Sequence, residues 1–522
     1  MQASDPAPGG AIRLPRRSIV ASAGALLLAA AWWSLTDEHL AHFDAVNFAL
    51  AIERFDPLLH QPQPPGYLLA VALLRGLAAL GVEARDALLL AGVIAGATAV
   101  WFLWSLAERM GGTPMAFYAC SLLLFHPFTL LTGMRSPLRL WLAAGACAVA
   151  YFSWRGLAGE GKQWFRGAAV ALAIAAGFRP EAMLLLFPLA LLPLQSRRYP
   201  VREALRAAAL AIPVALAWLV PLTHAFGGWR DFGFVLWHYL REQFGGSSAL
   251  FGADCTQALG MAVKALTWVA LGTLCWLWAL PWVLWHRKAA APPGSARFFL
   301  VWIVPAALFY AFVHVGDPEH TLATAPAVSL LGGWILTQWA AGSRPRAVLA
   351  GALACGLSLG LFLSPESAWG GQYWAARRAA CETAAVVESL REQARAAPLF
   401  VVSWEGAGLW RQVSYHLPES SVLVLHGAPE QPGLEARHMF YRNRRRGQPP
   451  LEGTRIRVPA GSQVFVLAPK GWQPSAEEGP LRKLNPGIGL FQLEAGESRR
   501  LGAYLVAWER PALEPGPVDA GE

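Results

Sequence analysis

The most polar stretch in the first two thirds of this sequence is residues 36–65, which contain several side chains suited to acid–base chemistry. Phe48, Ile52 and Phe55 recur at spacings of four and three residues, and this pattern predicts a helix that starts at Asp44. A carboxylate at that position either caps the helix or serves as a base or metal ligand for a substrate that reaches the same surface. Asp44 is therefore the first candidate for a catalytic residue.

Other polar side chains flank this candidate in the same stretch. Upstream, the acidic pair Asp37 and Glu38 is a rival for the catalytic position. Downstream, His60 is followed by the run Gln63-Pro64-Pro65-Gly66-Tyr67.

The elements that position these residues are predicted to be membrane helices. The 522 residues are 55% hydrophobic and 15% charged, with a mean hydropathy of +0.37, whereas soluble chains carry about 25% charged residues. The charge deficit lies between residues 18 and 363, where apolar runs approach the roughly 20 residues that span a bilayer. We predict a polytopic α-helical protein with about 11 spanning helices. They lie near 18–35, 87–107, 114–131, 138–154, 167–178, 182–195, 207–226, 261–285, 298–315, 322–340 and 347–363.

Basic residues are unevenly distributed between alternate loops. The loops assigned to the cytoplasm carry more than twice as many Lys and Arg residues as the opposite loops. The positive-inside rule therefore places the N-terminus in the cytoplasm and the C-terminus outside a bacterial inner (plasma) membrane. To keep this bias, the apolar residues 66–82 are predicted to lie on the outer interface, which makes 36–65 the first external loop.

The apolar run 167–195 has basic residues at both ends, so both ends are assigned to the cytoplasm. Pro180 interrupts the run, because a proline disfavours helical conformation in the residue before it. Two short helices are predicted, with Arg179 and Glu181 at their outer tip. Charged residues held at membrane depth are functional candidates.

The net charge of +9 does not indicate a nucleic-acid partner, because many of the basic residues lie in short loops between apolar segments. Residues 364–522 have more charge and no spanning run, and they are predicted to form a separate extracytoplasmic α/β domain. Its strands are expected at 399–403, 421–425, 463–467, 489–493 and 503–508, with a helix over 405–416. The tail from about 511 is Pro-rich and acidic and is predicted to be disordered.

The first external loop resembles that of the GT-C superfamily, and in particular the family 39 glycosyltransferases. These include protein O-mannosyltransferases and the lipid A aminoarabinose transferase. Their loop carries an Asp, an aromatic-Ala pair four residues on, and a Pro-Pro-x-Tyr-like run. Asp44, Phe48-Ala49 and residues 63–67 match it, and this spacing favours Asp44 over the rival acidic pair.

The resemblance extends over roughly the first 340 residues and implies a GT-C-like transmembrane domain, 1–363. It also implies inverting transfer of a sugar from a polyprenyl phosphate to an acceptor on the outer face of the membrane. Asp44 would be the general base, and no nucleotide or other cofactor is needed. The residues expected to contact substrate or lipid phosphate are His60, Gln63, Tyr67, Arg135, Arg179, Glu181 and His320.

This chain departs from the family at four places. Ala45 replaces the family's Glu, Gln63 replaces a His, and His320 stands where relatives carry an Arg near the lipid phosphate. The second external loop, Thr132–Arg139, contains no acidic residue, so a divalent metal held between the two loops is not supported.

For two charged pairs in these loops the sequence also allows an interpretation without a functional role. Arg135 and Arg139 are spaced so that both would face one phosphate, unless Arg139 only extends toward the membrane surface. Asp317 and Glu319 precede the tenth predicted span. They are either part of a functional site or simply part of a solvated turn.

The sequence alone leaves two other classes of protein as alternatives. A transporter or lipid flippase usually shows two related halves, and no such repeat is visible here. A non-catalytic assembly protein of the cell envelope is the other alternative.

Overall fold

The computed structural model of this protein describes residues 16–508 apart from a set of internal segments. These are 197–198, 246–247, 287–293, 342, 366–371, 405–407, 426–438, 443–454, 469–471, 473–480, 486–488, 497 and 502–503. The tail predicted from 511 lies outside the described residues.

The chain divides into two compact units. The first comprises the residues up to Thr36 together with Pro64–Ala376, and the second comprises Asp37–Gln63 together with the chain from Arg377. Most of the first external loop therefore folds with the C-terminal region, although the sequence grouped it with the membrane helices.

The helices account for nearly all of the first unit. In chain order they are α1 (Arg16–Leu35), α2 (Phe43–Glu53), α3 (Leu68–Ala79), α4 (Ala84–Leu124), α5 (Pro127–Arg135), α6 (Leu140–Leu157), α7 (Lys162–Phe178), α8 (Glu181–Leu191), α9 (Val201–Ala225), α10 (Trp229–Gly245), α11 (Cys255–Leu271), α12 (Leu280–His286), α13 (Ser295–Phe312), α14 (Ala325–Ala340), α15 (Arg344–Leu363), α16 (Gln372–Ala394) and α17 (Trp410–His416). Of these, α2, α17 and most of α16 belong to the second unit.

Among the described residues, six helices are long and apolar enough to cross a membrane. They are Arg17–Leu35, Ala84–Leu124, Val201–Ala225, Cys255–Cys275, Ser295–Phe312 and Arg344–Leu363. The other predicted spans coincide with helices that fall below that length or hydropathy, so the number of about 11 crossings stays a prediction. Residues 66–82 form only the 12-residue α3.

The 41-residue α4 contains two predicted spans, 87–107 and 114–131, which are separated by a break at Gly111 and Gly112. Gly112 has a φ of +81°, a backbone conformation that is costly for residues with a Cβ. The second segment ends earlier than predicted, at Leu124, and α5 begins at Pro127.

Glycine allows α14 to pack closely against α4. A Cβ added to Gly333 would lie 2.9 Å from both the Met115 carbonyl oxygen and the Ala119 nitrogen. Small residues let the backbones of membrane helices approach in this way, because packing drives their association within lipid.

The second unit has three layers. A six-stranded sheet of order β3-β2-β1-β5-β7-β6 lies between helices α16 and α17 on one face and a three-stranded sheet of order β4-β9-β8 on the other. The strands are β1 (Leu399–Trp404), β2 (Ser421–Leu425), β3 (Met439–Arg442), β4 (Arg455–Val458), β5 (Gln463–Leu467), β6 (Leu481–Asn485), β7 (Leu490–Leu493), β8 (Ser498–Leu501) and β9 (Tyr504–Trp508).

The central strand β1 is parallel to both β2 and β5, and all six of its residues are buried. Val401 faces the helices, whereas Phe400 and Val402 face the smaller sheet. Because both faces are covered, such strands are continuous apolar runs, which is why the sequence located them. The helix predicted over 405–416 is shorter, since α17 begins only at Trp410.

The predicted helix 44–54 is present as α2. The interpretation of Asp44 as its N-cap is wrong, because His42 is the N-cap residue and Asp44 lies within the first turn. A carboxylate there is favoured by the helix dipole, and the side chain of Asp44 is half-buried.

The close packing of α14 gives a stability prediction. We expect Gly333→Ala to lower the thermal unfolding temperature of the purified protein, because its methyl group would meet backbone atoms of α4. Overpacking of this kind costs roughly 1–3 kcal/mol. The control is Gly356→Ala in α15, where a Cβ meets nothing within 4 Å and alanine favours the helix by up to about 1 kcal/mol. Equal unfolding temperatures for the two variants would contradict this packing.

Candidate functional site

A cavity of about 620 Å³ opens within the first unit. Most of its wall is apolar and is contributed by α8, α9, α10 and α13, with Pro64 and Pro65 beside them. Its polar side chains include Tyr67, Glu181, His314 and His320. A long apolar pocket with a few polar groups in its wall suits an amphiphile that has a hydrocarbon chain and a polar head.

The turn between α7 and α8 places Arg179 behind this polar wall. The helix α7 ends at Phe178 because Pro180 follows, and α8 starts at Glu181. Arg179 is 2% exposed, donates hydrogen bonds from Nε and Nη2 to Glu181 Oε1, and stacks its guanidinium 4.7 Å from the Tyr67 ring centroid. Three residues chosen from the sequence therefore meet at one point.

A second cluster joins the loop after α5 to the loop before α14. Asp317 pairs with Arg135 at 2.6 Å and with Arg139 at 2.8 Å. Glu319 is fully buried and lies 3.4 Å from Arg135 and 3.6 Å from Arg139. Burial raises the pKa of the Glu319 carboxyl, and the two guanidiniums oppose that rise.

The non-functional interpretations of Arg139, Asp317 and Glu319 are wrong. Arg139 is 3% exposed and does not extend toward a membrane surface, and Asp317 and Glu319 are not a solvated turn. The two arginines do converge on anions, as their spacing indicated, but the anions are carboxylates of this chain. Sequence reasoning noted Asp317 and Glu319 but did not connect them with the loop 132–139, where it looked for an acidic residue.

His320 belongs to the same loop and also lines the cavity. Its Nδ1 accepts a hydrogen bond from the Asp317 backbone N–H at 3.0 Å, and its carbonyl accepts one from the Tyr310 hydroxyl at 2.6 Å. Burial lowers the pKa of His320 well below its usual range and lowers the pKa of His314 to about 4. Both imidazoles are therefore neutral near pH 7, so they act as hydrogen-bonding groups there.

The remaining candidates lie in the second unit, where the loop 37–63 packs on α17. Asn47 Nδ2 donates to Gln63 Oε1 at 3.2 Å, and Asn47 Oδ1 accepts from Arg411 Nε at 2.7 Å. The carbonyl of His60 accepts from Arg411 Nη2 at 3.1 Å. Gln63 is 6% exposed, so its amide is committed to this network. Neither Asn47 nor Arg411 was singled out from the sequence.

The rival base Asp37 is held in an ion pair in the same unit. Both of its carboxylate oxygens lie 2.8 Å from Arg377 Nη1. The preference for Asp44 over Asp37 as the catalytic candidate therefore continues to rest on the spacing in the sequence.

The structure thus divides the residues chosen from the sequence into three groups. Tyr67, Glu181 and His320 line the cavity, and Arg179 contacts the first two from behind the wall. Arg135 joins the buried charge cluster. Asp37, Glu38, Asp44, His60 and Gln63 belong to the second unit. Within the described part of the chain, no group of three or more His, Cys, Asp or Glu side chains is arranged to hold a metal ion.

Comparison with known proteins shows what this chain is similar to. The family model described as dolichyl-phosphate-mannose-protein mannosyltransferase matches residues 62–223, a segment that contains Tyr67, Arg135, Arg179 and Glu181. The expectation of a GT-C membrane fold with an additional C-terminal region that contains strands is confirmed.

Two solved structures share this fold over most of their length. ArnT from Cupriavidus metallidurans bound to undecaprenyl phosphate is 17% identical, with a TM-score of 0.51 over 76% of this chain and 84% of that chain. The same protein in the apo state is 15% identical, with a TM-score of 0.51 over 82% of this chain and 96% of that chain. A search of curated protein sequences found no match.

The buried charge cluster gives a second stability prediction. Glu319→Gln leaves Arg139 buried with only one carboxylate partner, and disruption of a buried ion pair costs about 3–5 kcal/mol. We expect a clear fall in the thermal unfolding temperature. The control, Asp86→Asn, removes a half-exposed partner of Arg85, which is worth about 1 kcal/mol or less. Similar small shifts for both variants would show that the cluster does not stabilise the unit.

The third prediction concerns pH and His416, whose Nε2 lies 3.3 Å from the Leu40 carbonyl oxygen. Burial lowers the pKa of His416 to about 4, and nearby His39 and Arg391 act in the same direction. The unfolded imidazole titrates near 6.5. Between about pH 6.5 and 4 the unfolded state therefore binds a proton that the folded unit does not, so stability falls as pH falls.

The measurement for this prediction is hydrogen exchange of residues 37–63, corrected for intrinsic rates, from pH 7 to 5. Protection should decrease on acidification in the wild type, and His416→Gln should lose most of that dependence. An unchanged pH dependence in the variant would assign it to another group.

Proposed function

We propose that this chain is a membrane glycosyltransferase. It transfers a sugar from a polyprenyl phosphate carrier to an acceptor on the outer face of the inner membrane. The observation that carries the proposal is the cavity of about 620 Å³, whose apolar walls surround a small polar group of Tyr67, Glu181 and His320. Two of these three residues fall in the segment that matches the mannosyltransferase family model.

The apolar wall suits the isoprene units of the carrier. Leu184, Leu236 and Phe309 are among the side chains that line it. Because the tail enters from the bilayer and not from water, the wall holds the isoprene units by van der Waals packing and shape, without a large hydrophobic transfer energy. The structurally similar ArnT was solved with undecaprenyl phosphate, which is a carrier of this kind.

The charge balance near the cavity suits an anionic head group. Among the described residues, Arg135, Arg139 and Lys264 lie with Asp317 and Glu319, so the formal charges are three positive and two negative. Arg179 is neutralised by Glu181, and an arriving phosphate would compete with that carboxylate for the guanidinium. Arginine is suited to this exchange because its planar fork binds carboxylate and phosphate alike.

The chemical step follows from these roles. Asp44 takes the proton of the acceptor hydroxyl, and the acceptor oxygen attacks the anomeric carbon from the face opposite the phosphate. The bond from the anomeric carbon to the phosphate oxygen breaks, and the polyprenyl phosphate leaves with the electron pair. Arg179, together with the net positive cluster, stabilises the negative charge that grows on that oxygen. The configuration at the anomeric carbon is inverted.

The fourth prediction tests this assignment. Purified protein in nanodiscs is supplied with a panel of polyprenyl-phosphate sugars and an acceptor extract, and release of polyprenyl phosphate is measured. We expect the wild type to release it and Asp44→Asn to be about 10²–10⁴-fold slower, because loss of a general base costs that much.

Two variants complete this experiment. Glu53→Gln, at the exposed far end of α2, should keep full activity, and Asp37→Asn tests the rival base. Equal activity of wild type and Asp44→Asn would move the base elsewhere. Absence of release across the panel would favour a transporter or an assembly protein of the envelope.

A further inference from the structure

The C-terminal region buries an arginine against the loop that carries the proposed base. Arg411 lies in the first turn of α17 and is 0% exposed. Burial of a guanidinium costs several kcal/mol unless its donors are satisfied. A residue of this kind is seldom found in a core without a specific role for its hydrogen bonds.

The hydrogen bonds of Arg411 go to the loop 37–63 at two places. Its Nε donates to Asn47 Oδ1 at 2.7 Å, and its Nη2 donates to the carbonyls of Leu59 and His60 at 2.5 and 3.1 Å. One planar group therefore joins helix α2 to the far end of the loop. A lysine has no fork and cannot reproduce this arrangement.

Two aromatic side chains also contact the Arg411 guanidinium. The Arg411 guanidinium lies 5.7 Å from the ring centroid of Phe43 and 5.0 Å from that of Trp410. These two rings meet edge to face, with centroids 5.6 Å apart. Phe43 also packs against the apolar core beneath the six-stranded sheet.

Asp44 sits between the two points of attachment. Phe43 precedes it directly, and Asn47 follows three residues later on α2. Because Phe43 and Asn47 are spaced i,i+4, they lie on one face of the helix, and both contact Arg411. The orientation of the first turn of α2 is thus set by α17.

The neighbouring residue of α17 adds a third attachment. Gln412 Nε2 donates to the Ala41 carbonyl at 2.7 Å, which fixes the backbone just before α2. The loop is consequently held before, within and after the helix that carries Asp44.

We propose that Arg411 is a positioning residue, through which the C-terminal region sets the orientation of Asp44 for proton transfer. The inference rests on the proposed function, in which Asp44 is the general base. Reaction rates are sensitive to such placement, because a displacement of about 1 Å can cost about 10²-fold. The C-terminal region is then part of the catalytic apparatus rather than an appended domain.

The fifth prediction compares Arg411→Met and Asn47→Leu, which remove the contact from opposite sides. In the nanodisc assay we expect kcat to fall about 10- to 100-fold for both. The KM for the lipid-linked sugar should stay within about threefold, because the lipid cavity is unaltered. Arg411→Lys should be intermediate. The control is Arg482→Gln, at an exposed position on β6, which should match the wild type.

A double variant separates positioning from general stability. If Arg411 acts through Asp44, adding Arg411→Met to Asp44→Asn should cause no further loss of kcat, since coupled residues are not additive. A purely structural role would produce the full additional loss, and that result would overturn the proposal. A folded Arg411→Met protein with the kcat of the wild type would overturn it too.

Hydrogen exchange of residues 37–63 in the full chain gives a readout that does not depend on activity. Faster exchange in Arg411→Met and in Asn47→Leu supports the attachment, and unchanged exchange in both refutes it. If the wild type transfers no sugar, the proposed function fails, whereas this exchange measurement still decides whether Arg411 holds the loop.

Discussion

Charge that has been removed from water must be compensated, and this constraint shapes each site described above. The cost of an uncompensated buried ion is several kcal/mol even after relaxation, which is a large part of the stability of any protein. The charges of Arg139 and Glu319 compensate each other by pairing within the first unit, and the charge of Arg179 is compensated by Glu181. The charge of Arg411 is compensated by hydrogen bonds to oxygens of the loop 37–63. In each case the compensation fixes a loop that would otherwise be free to move.

The same constraint explains how an apolar chain can carry polar chemistry. Helices such as α8 and α13 present hydrocarbon to the cavity, whereas Glu181 stands at the start of α8 and His320 lies in the loop before α14. In the second unit the helix α2 is similarly held by its turns and by α17. Rigid support of this kind is what general acid–base chemistry requires.

Local sequence patterns were sufficient for most elements and for part of the site. The helix at Asp44 and the strands 421–425 and 463–467 follow from short-range periodicity, which depends only on neighbouring residues. The partners of Arg135 and Arg411 could not be found this way, because Asp317 is 182 residues from one and Asn47 is 364 residues from the other. Single-sequence reasoning carries no information about such pairings. It therefore located the helices and strands that carry many of the candidate residues without identifying what orients those residues.

The central claim is that the cavity receives a polyprenyl phosphate, and photo-crosslinking tests it most directly. A polyprenyl phosphate with a photoreactive group in its first isoprene units is added to the protein in nanodiscs, and labelled peptides are mapped. The account predicts labelling at cavity residues such as Leu184, Tyr239 and Tyr310, suppressed by excess undecaprenyl phosphate but not by phospholipid. Labelling spread over the exposed helix faces, and unaffected by either competitor, would contradict it.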